Sequence, residues 1–271
     1  HMEPEDIIEE ITLSRITGRG GANFPTSIKM KSFAKETGTK YIICNADEGE
    51  PGNFKDRYML EKDPHQIVEG MLISAYATGA QKGYIYIRGE YSKAIKIMNQ
   101  VIETAREHNF LGESICNTEM SFDIEVRRGA GAYVCGEEFA LIESIEGKPG
   151  RTRVKPPFPS QCGVFNKPTL INNVETFCNL PFIIDIGGDA YNEIGSDYAS
   201  GTKLISLSGN VKNKGLYEVP FGRTIREVIE VLGGGTTEGR KIKMVQLGGA
   251  CGAIIPPSLL DMDIDNERFE I

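Results

Sequence analysis

No apolar run in the 271 residues is long enough to span a membrane, and no signal-peptide pattern is present, so a soluble, cytoplasmic protein is expected. Basic residues are not in excess. The 30 Lys and Arg against 38 Asp and Glu leave a net charge of −8, which excludes a general nucleic-acid binder, because phosphate contacts need clustered cations. Cysteine is sparse and scattered: Cys44, Cys116, Cys135, Cys162, Cys178 and Cys251 form no CxxC pair and have no histidine at metal-ligand spacing. A zinc or iron–sulfur site built from this chain alone is therefore not expected, and no metal ligand is assigned. Of the three histidines, His1 with Met2 reads as a tag remnant, while His65 and His108 lack hydroxyl or thiol partners at any recognisable spacing. That excludes an arguable nucleophile triad. The absence of GxxxxGK[ST] likewise weighs against a phosphoryl-transfer enzyme.

What is present is an alternation. The length suggests about two domains. Helical patterns over Pro4 to Ile16, Thr26 or Ser27 to about Glu36, His65 to Ala77, Glu90 to Glu107 and Glu137 to Ile145 alternate with strand patterns at Lys40 to Cys44, Gly83 to Ile87 and around Phe122 to Val126. Alternation of this kind predicts a three-layer α/β domain. The stretch from Lys148 to Pro168 is rich in proline and glycine and is expected as ordered loop. From about Thr202 the order becomes strand (Lys203 to Leu207), strand (Gly215 to Val219), helix (Ile225 to Leu232) and strand (Lys243 to Leu247), a β-grasp-like sequence of elements in a small α+β unit. The expected division is an α/β domain over 1–193 and a β-grasp domain over 194–271.

Three clusters rich in glycine and acids stand out: GRGGANFP at 18–25, NADEGEPGNFKDR at 45–57 and GAGAYVCGEE at 129–138. Glycines let backbone amides approach a phosphate, and carboxylates bind ribose hydroxyls or repel an extra phosphate. The first is no ordinary Rossmann fingerprint, since the third glycine is missing and a helix rather than a strand precedes it. It is either a tight turn or a phosphate loop, and its flanking cations Arg19 and Lys29 favour the latter. In the second, Asp47, Glu48 and Glu50 crowd the end of a predicted strand, where α/β sheets place ligands; the alternative is a solvated acidic turn. Asn45 adds an amide that can read a heterocycle edge. In the third, Glu137 and Glu138 fall in a helix's first turn, where capping electrostatics explains one of them, and Tyr133 either stacks on a ring or fills the core. Lys155-Pro156-Pro157-Phe158 and Asn172-Asn173 contribute a cation, an aromatic and two amides, or else a turn and a helix cap.

GRGGANFPT, ICNADEGEPGNFKDRYML, RGAGAYVCGEE, KPPFP and KPTLINNVET occur in this order. The chain thereby resembles the NADH-binding flavoprotein subunit of respiratory complex I and the related subunits of NAD-linked hydrogenases and formate dehydrogenases, from about Asp6 to the C-terminus. The resemblance implies a Rossmann-like FMN- and NADH-binding domain followed by a β-grasp domain of the soluble-ligand-binding type. It implies hydride transfer from nicotinamide C4 to flavin N5, with onward one-electron transfer to iron–sulfur clusters in partner subunits. Carried over by position, FMN contacts Gly18, Arg19, Gly20, Lys29, Asn45, Asp47, Glu48, Tyr133, Gly136, Glu137, Asn172, Asn173 and Thr176. NADH lies on Gly21, Phe24, Lys29, Phe33, Glu50, Glu138 and Phe158, and the residues expected to act most directly are Lys29, Glu50 and Glu138. Two departures accompany the match: Asn23 stands where the family has glycine, and the family's C-terminal [4Fe–4S] domain has no counterpart before Ile271. The rival expectation is a non-catalytic module that binds partner subunits or an unrelated β-grasp ligand.

Overall fold

The computed structural model describes residues 2–249 and 252–264. Proline in the first turn and an Asp6 carboxylate on the Glu3 amide start helix α1 (Pro4–Leu13). It stops before Ile16, because Arg15 takes a positive φ of 52°. Then come α2 (Thr26–Ala34), β1 (Tyr41–Ala46), α3 (Lys55–Lys62), α4 (Pro64–Thr78), β2 (Lys82–Ile87), α5 (Ser92–Glu107), β3 (Asp123–Arg128), α6 (Glu138–Ile145), β4 (Thr169–Asn173), α7 (Val174–Ile186) and α8 (Gly188–Asn192).

The four strands make one parallel sheet in the order β3-β2-β1-β4. Side chains alternate faces along β1: Ile42, Cys44 and Ala46 enter the large core under α1, α2, α4, α5 and α7, whereas Ile43 joins Tyr84, Tyr86 and Ile171 beneath α6. Helices thus cover both faces, giving the expected three layers. The chain runs from β1 outward through β2 to β3 and returns on the other side as β4. The order therefore reverses between β1 and β4, and open α/β sheets form their ligand crevice outside the carboxyl ends of strands at such a point.

The remainder is a small antiparallel unit. β5 (Thr202–Leu207) pairs with β6 (Gly215–Pro220), a short α9 (Ile225–Glu227) continues as a π-helical turn through Leu232, and β7 (Val245–Gln246) pairs with β8 (Ile254–Ile255). Its own core gathers Val211, Ile225, Ile229, Ile255 and Leu260.

Four features differ from the sequence expectation. Helix α3 grows directly out of the acidic cluster, the residues read as a turn before the Asn173 helix cap form strand β4, α8 follows Gly187, and the last predicted strand shrinks to β7 with β8 as its partner. Among the described residues no helix is long and apolar enough to cross a membrane.

Candidate functional site

All three clusters meet at the carboxyl ends of β1 and β4. Asn45, in register with Asn173, donates from Nδ2 to the Gly136 carbonyl at 2.9 Å and accepts from the Asp47 amide at 3.1 Å, tying the second cluster to the third. The Asp47 Oδ2 atom is buried with no hydrogen-bond partner. Burial pushes this carboxyl up to about 6, with Arg88 opposing and Glu90 reinforcing the shift. Glu50 accepts from the Tyr133 hydroxyl, and the Tyr133 ring packs so closely on Gly49 that a Cβ there would lie 2.9 Å from it.

The glycine loop of the first cluster crosses the same crevice. Its ends are joined by the Gly18 amide on the Phe24 carbonyl at 2.9 Å, and the Gly20 backbone leaves only 3.1 Å between an added Cβ and Asn173. Gly21, at φ +112°, faces open space. Asn23 adopts φ +50°, a left-handed conformation that asparagine tolerates better than most residues, so the turn forms without glycine at this position. Lys29 reaches over from α2 and donates to the Ile171 carbonyl at 3.0 Å and to Asn172 Oδ1 at 3.4 Å. Burial draws its pKa below the usual lysine range, Glu138 opposes this and Lys155 adds to it. The other side of the Asn172 amide, Nδ2, is buried without a partner.

Glu137 caps α6, accepting from the Phe139 and Ala140 amides at 3.0 Å each, and lies 3.4 Å from the Lys155 ammonium. Glu138 forms an ion pair with the same lysine. Phe24 and Phe158 stand 46% and 51% exposed.

A family model described as the Nuo51 FMN-binding domain matches residues 11–182, and one for the SLBB domain matches residues 204–252. The chain belongs to the Nuo51 FMN-binding family. It is 53% identical over 249 residues to an NADH-quinone oxidoreductase subunit of Aquifex aeolicus (strain VF5), covering 92% of this chain and 58% of that protein. It is 49% identical over 269 residues to the NADP-reducing hydrogenase subunit HndC of Solidesulfovibrio fructosivorans, covering 99% of this chain and 55% of that one. Among solved structures, an NAD+-reducing [NiFe]-hydrogenase in the H2-reduced state superimposes with a TM-score of 0.89 at 38% identity, over 98% of this chain and 45% of that one. The chain thus spans little more than half the length of these curated relatives.

Within this Nuo51 domain several residues expected at a ligand serve the frame instead. Arg19 is 2% exposed: its guanidinium donates to the carbonyls of Thr17, Ser200 and Thr202 and to the Thr17 and Tyr191 hydroxyls, and lies 4.8 Å from the Phe221 ring centroid. Donors spent in this way on the protein itself leave the side chain none for a phosphate. Phe33 sits at 0% exposure in the main core with the Lys40 ammonium over its ring, so it cannot bracket a nucleotide base. The Thr176 side chain is buried and accepts the Arg19 amide. Glu48 is also buried, receiving the Asp56 and Arg57 amides and the Tyr91 hydroxyl; it anchors the start of α3, where the helix dipole favours an anion. Asn173 caps α7 through the Glu175 amide and divides its remaining bonds among Lys55, Asp56 and the Asn45 carbonyl.

The Nuo51 site also relies on residues not singled out from the sequence. Lys55 is buried and pairs with Asp56 at 2.6 Å and Glu175 at 3.0 Å, directly beneath Asn173. Burial pulls its pKa down, but the two carboxylates outweigh it and the net shift is upward. Lys55 lies inside NFKDR, but nothing in a linear sequence separates a buried cation from a solvated one. The SLBB match over 204–252 covers most of the unit containing β5 to β8, expected at 194–271, and stops before β8; in the turn from Gly248 to Gly252, Ala250 and Cys251 lie outside the described residues.

Proposed function

We propose that this chain binds FMN and NADH and acts as the hydride-accepting module of a larger redox complex, passing electrons singly to iron–sulfur centres on partner subunits. The observation that carries the proposal is the pair of orphaned polar atoms at the strand reversal, Asp47 Oδ2 and Asn172 Nδ2. Buried polar groups without partners are rare and costly, and an acceptor and a donor left open at one strand reversal suit the alternating edge of a flavin's pyrimidine ring. The residues around them fit the group: Gly21 leaves backbone open to close approach, and Lys29 supplies a cation. Bound FMN supplies the conversion between two-electron and one-electron chemistry, which no side chain here can perform.

The chain's own contribution is orientation and charge. Lys29, held by the Ile171 carbonyl and Asn172, places positive charge where an anionic ring would be stabilised. Phe24 and Phe158, both half-exposed, offer flat faces for stacking a second ring system. Glu50 is fixed by Tyr133, and Glu138 by Lys155; both carboxylates accept from ribose hydroxyls and disfavour a 2′-phosphate, so NADH is preferred over NADPH. The relatives include both an NADH and an NADP enzyme, so this preference rests on the two acids alone.

The same proposal divides the chain at about residue 193, makes the second unit a β-grasp domain, and puts the protein in the cytoplasm as a soluble or peripheral part of its complex. The nucleotide assignment is tested by Glu138→Ala with NADH and NADPH and an artificial acceptor such as ferricyanide. A lower NADH rate with a relative gain for NADPH is expected. Unchanged NADH turnover with no gain from NADPH would remove Glu138 from the site.

A further inference from the structure

The acidic loop after β1 is held on its outer side by the second unit. Gly249, in the turn between β7 and β8, approaches Glu50 so closely that an added Cβ would overlap the Glu50 carboxylate. A few residues along, the Ser206 hydroxyl of β5 donates to Asn53 Oδ1 at 2.9 Å and accepts the Phe54 amide at 3.4 Å. At the start of α3, Lys55 pairs with Glu175, which itself accepts the Leu204 amide of β5 at 2.7 Å. The segment from Glu50 to Lys55 is therefore held at its beginning and its middle by residues that follow position 200, and at its end through Glu175, which Leu204 in turn braces.

Such support is needed. The loop contains Pro51 and Gly52, the latter at φ +88° with open space around it, and it has no ladder hydrogen bonds of its own to aim a carboxylate. A side chain that must meet a ligand at fixed geometry depends on neighbours that lock its rotamer. Tyr133 grips Glu50 from the α/β domain, and Gly249 closes the other side.

We propose that the second unit is a positioning clamp for Glu50, with Gly249 as its contact and Ser206 as its latch, and that it thereby sets affinity and selectivity for the nicotinamide nucleotide. This rests on the function proposed above. Only glycine fits at 249, both for its φ of +84° and for its nearness to Glu50, so even a methyl group pushes the carboxylate off the ribose side of the site.

The test uses the FMN-loaded chain and compares Gly249→Ala with Gly248→Ala. Position 248 carries equivalent backbone strain in the same turn, at φ +74°, but its nearest neighbour is Gly252 Cα at 3.8 Å. Gly249→Ala is expected to leave FMN affinity by fluorescence quenching unchanged. It should raise KM for NADH and the calorimetric Kd for NAD+ about tenfold, with kcat within about twofold, and narrow the preference over NADPH. Gly248→Ala should leave all of these within about twofold, and Ser206→Ala should shift KM in the same direction by less. In a Glu50→Ala background Gly249→Ala should add nothing. Equal losses at 248 and 249, or full additivity with Glu50→Ala, overturn the clamp. Should Gly249→Ala fail to fold by circular dichroism, Ser206→Ala decides, and an unchanged KM there overturns it. A wild-type chain that takes up FMN without being reduced by NADH overturns both proposals, whereas an active wild type with an unaltered Gly249→Ala variant overturns the clamp alone.

Discussion

Asp47 is half-buried with one oxygen unpaired, so its carboxyl holds a proton up to about pH 6, where an ordinary aspartate has already lost it. The folded-state pKa is raised above the unfolded value. Its contribution to stability is thus fully present below about pH 4 and lost as pH rises through about 6. Relative to wild type, Asp47→Asn should therefore gain about 1 kcal/mol between pH 4 and pH 7.5, less than the full conversion of the shift because solvent screens a half-buried group. Urea midpoints at the two pH values check this, and a constant difference between variants would contradict it. FMN at the site should shrink the pH dependence, since a hydrogen bond to Asp47 supplies the partner it lacks. At this scale the sequence marked Asp47, Glu50, Glu138 and Lys29 for what the fold brings together. Arg19, Glu48 and Asn173 carry the same residue types in the same clusters, yet they are spent on the frame. A motif specifies which groups are near a site; only packing decides which of them turn inward.

At the level of elements, two contacts fix the crevice. The first is the buried pairing of Lys55 with Asp56 and Glu175, which joins α3, β4 and α7 beneath Asn173. Lys55→Met leaves two buried carboxylates uncompensated and should cost about 3–5 kcal/mol, whereas Lys82→Met, removing partly exposed pairs with Asp123 and Glu125, should cost under about 1 kcal/mol. Chemical denaturation of both variants checks the contrast, and equal losses would contradict it. The second is the crossing of α4 and α7, where Gly70 lies against the Phe177 carbonyl with no room for a Cβ. Gly70→Ala should destabilise by about 1–3 kcal/mol by forcing the helices apart, even though alanine is the better helix former. A stabilised variant would show that the helices separate freely. The three-layer α/β order and most helices were legible from period and punctuation. Strand β4 was not, because Thr169–Asn173 is short, buried almost throughout and ends in a helix cap, so the cap signal hid the strand. Helix α3 was hidden similarly, its first residues belonging to a cluster that reads as a ligand loop.

Across the whole molecule, Arg19 is the fastening between the two units, bonding from the glycine loop to Ser200 and Thr202 and stacking on Phe221. Arg19→Met should lower the melting temperature by several degrees and loosen the second unit, measured as faster proteolysis within the segment carrying β5 to β8 while the α/β part stays folded. Uniform cleavage of both parts would contradict a fastening role. The SLBB-matching unit was legible as an order of strands and a helix, but its grip on the acidic loop was not, since contacts between residues so far apart in sequence leave no periodic signal. The most direct measurement of the central claim is to add FMN to the purified chain, remove free flavin, and record the visible spectrum before and after anaerobic NADH, with NADPH in parallel. Bound flavin that bleaches with NADH, and much less with NADPH, is the predicted result. A folded chain that retains no flavin, or retained flavin that NADH leaves oxidised, would contradict it.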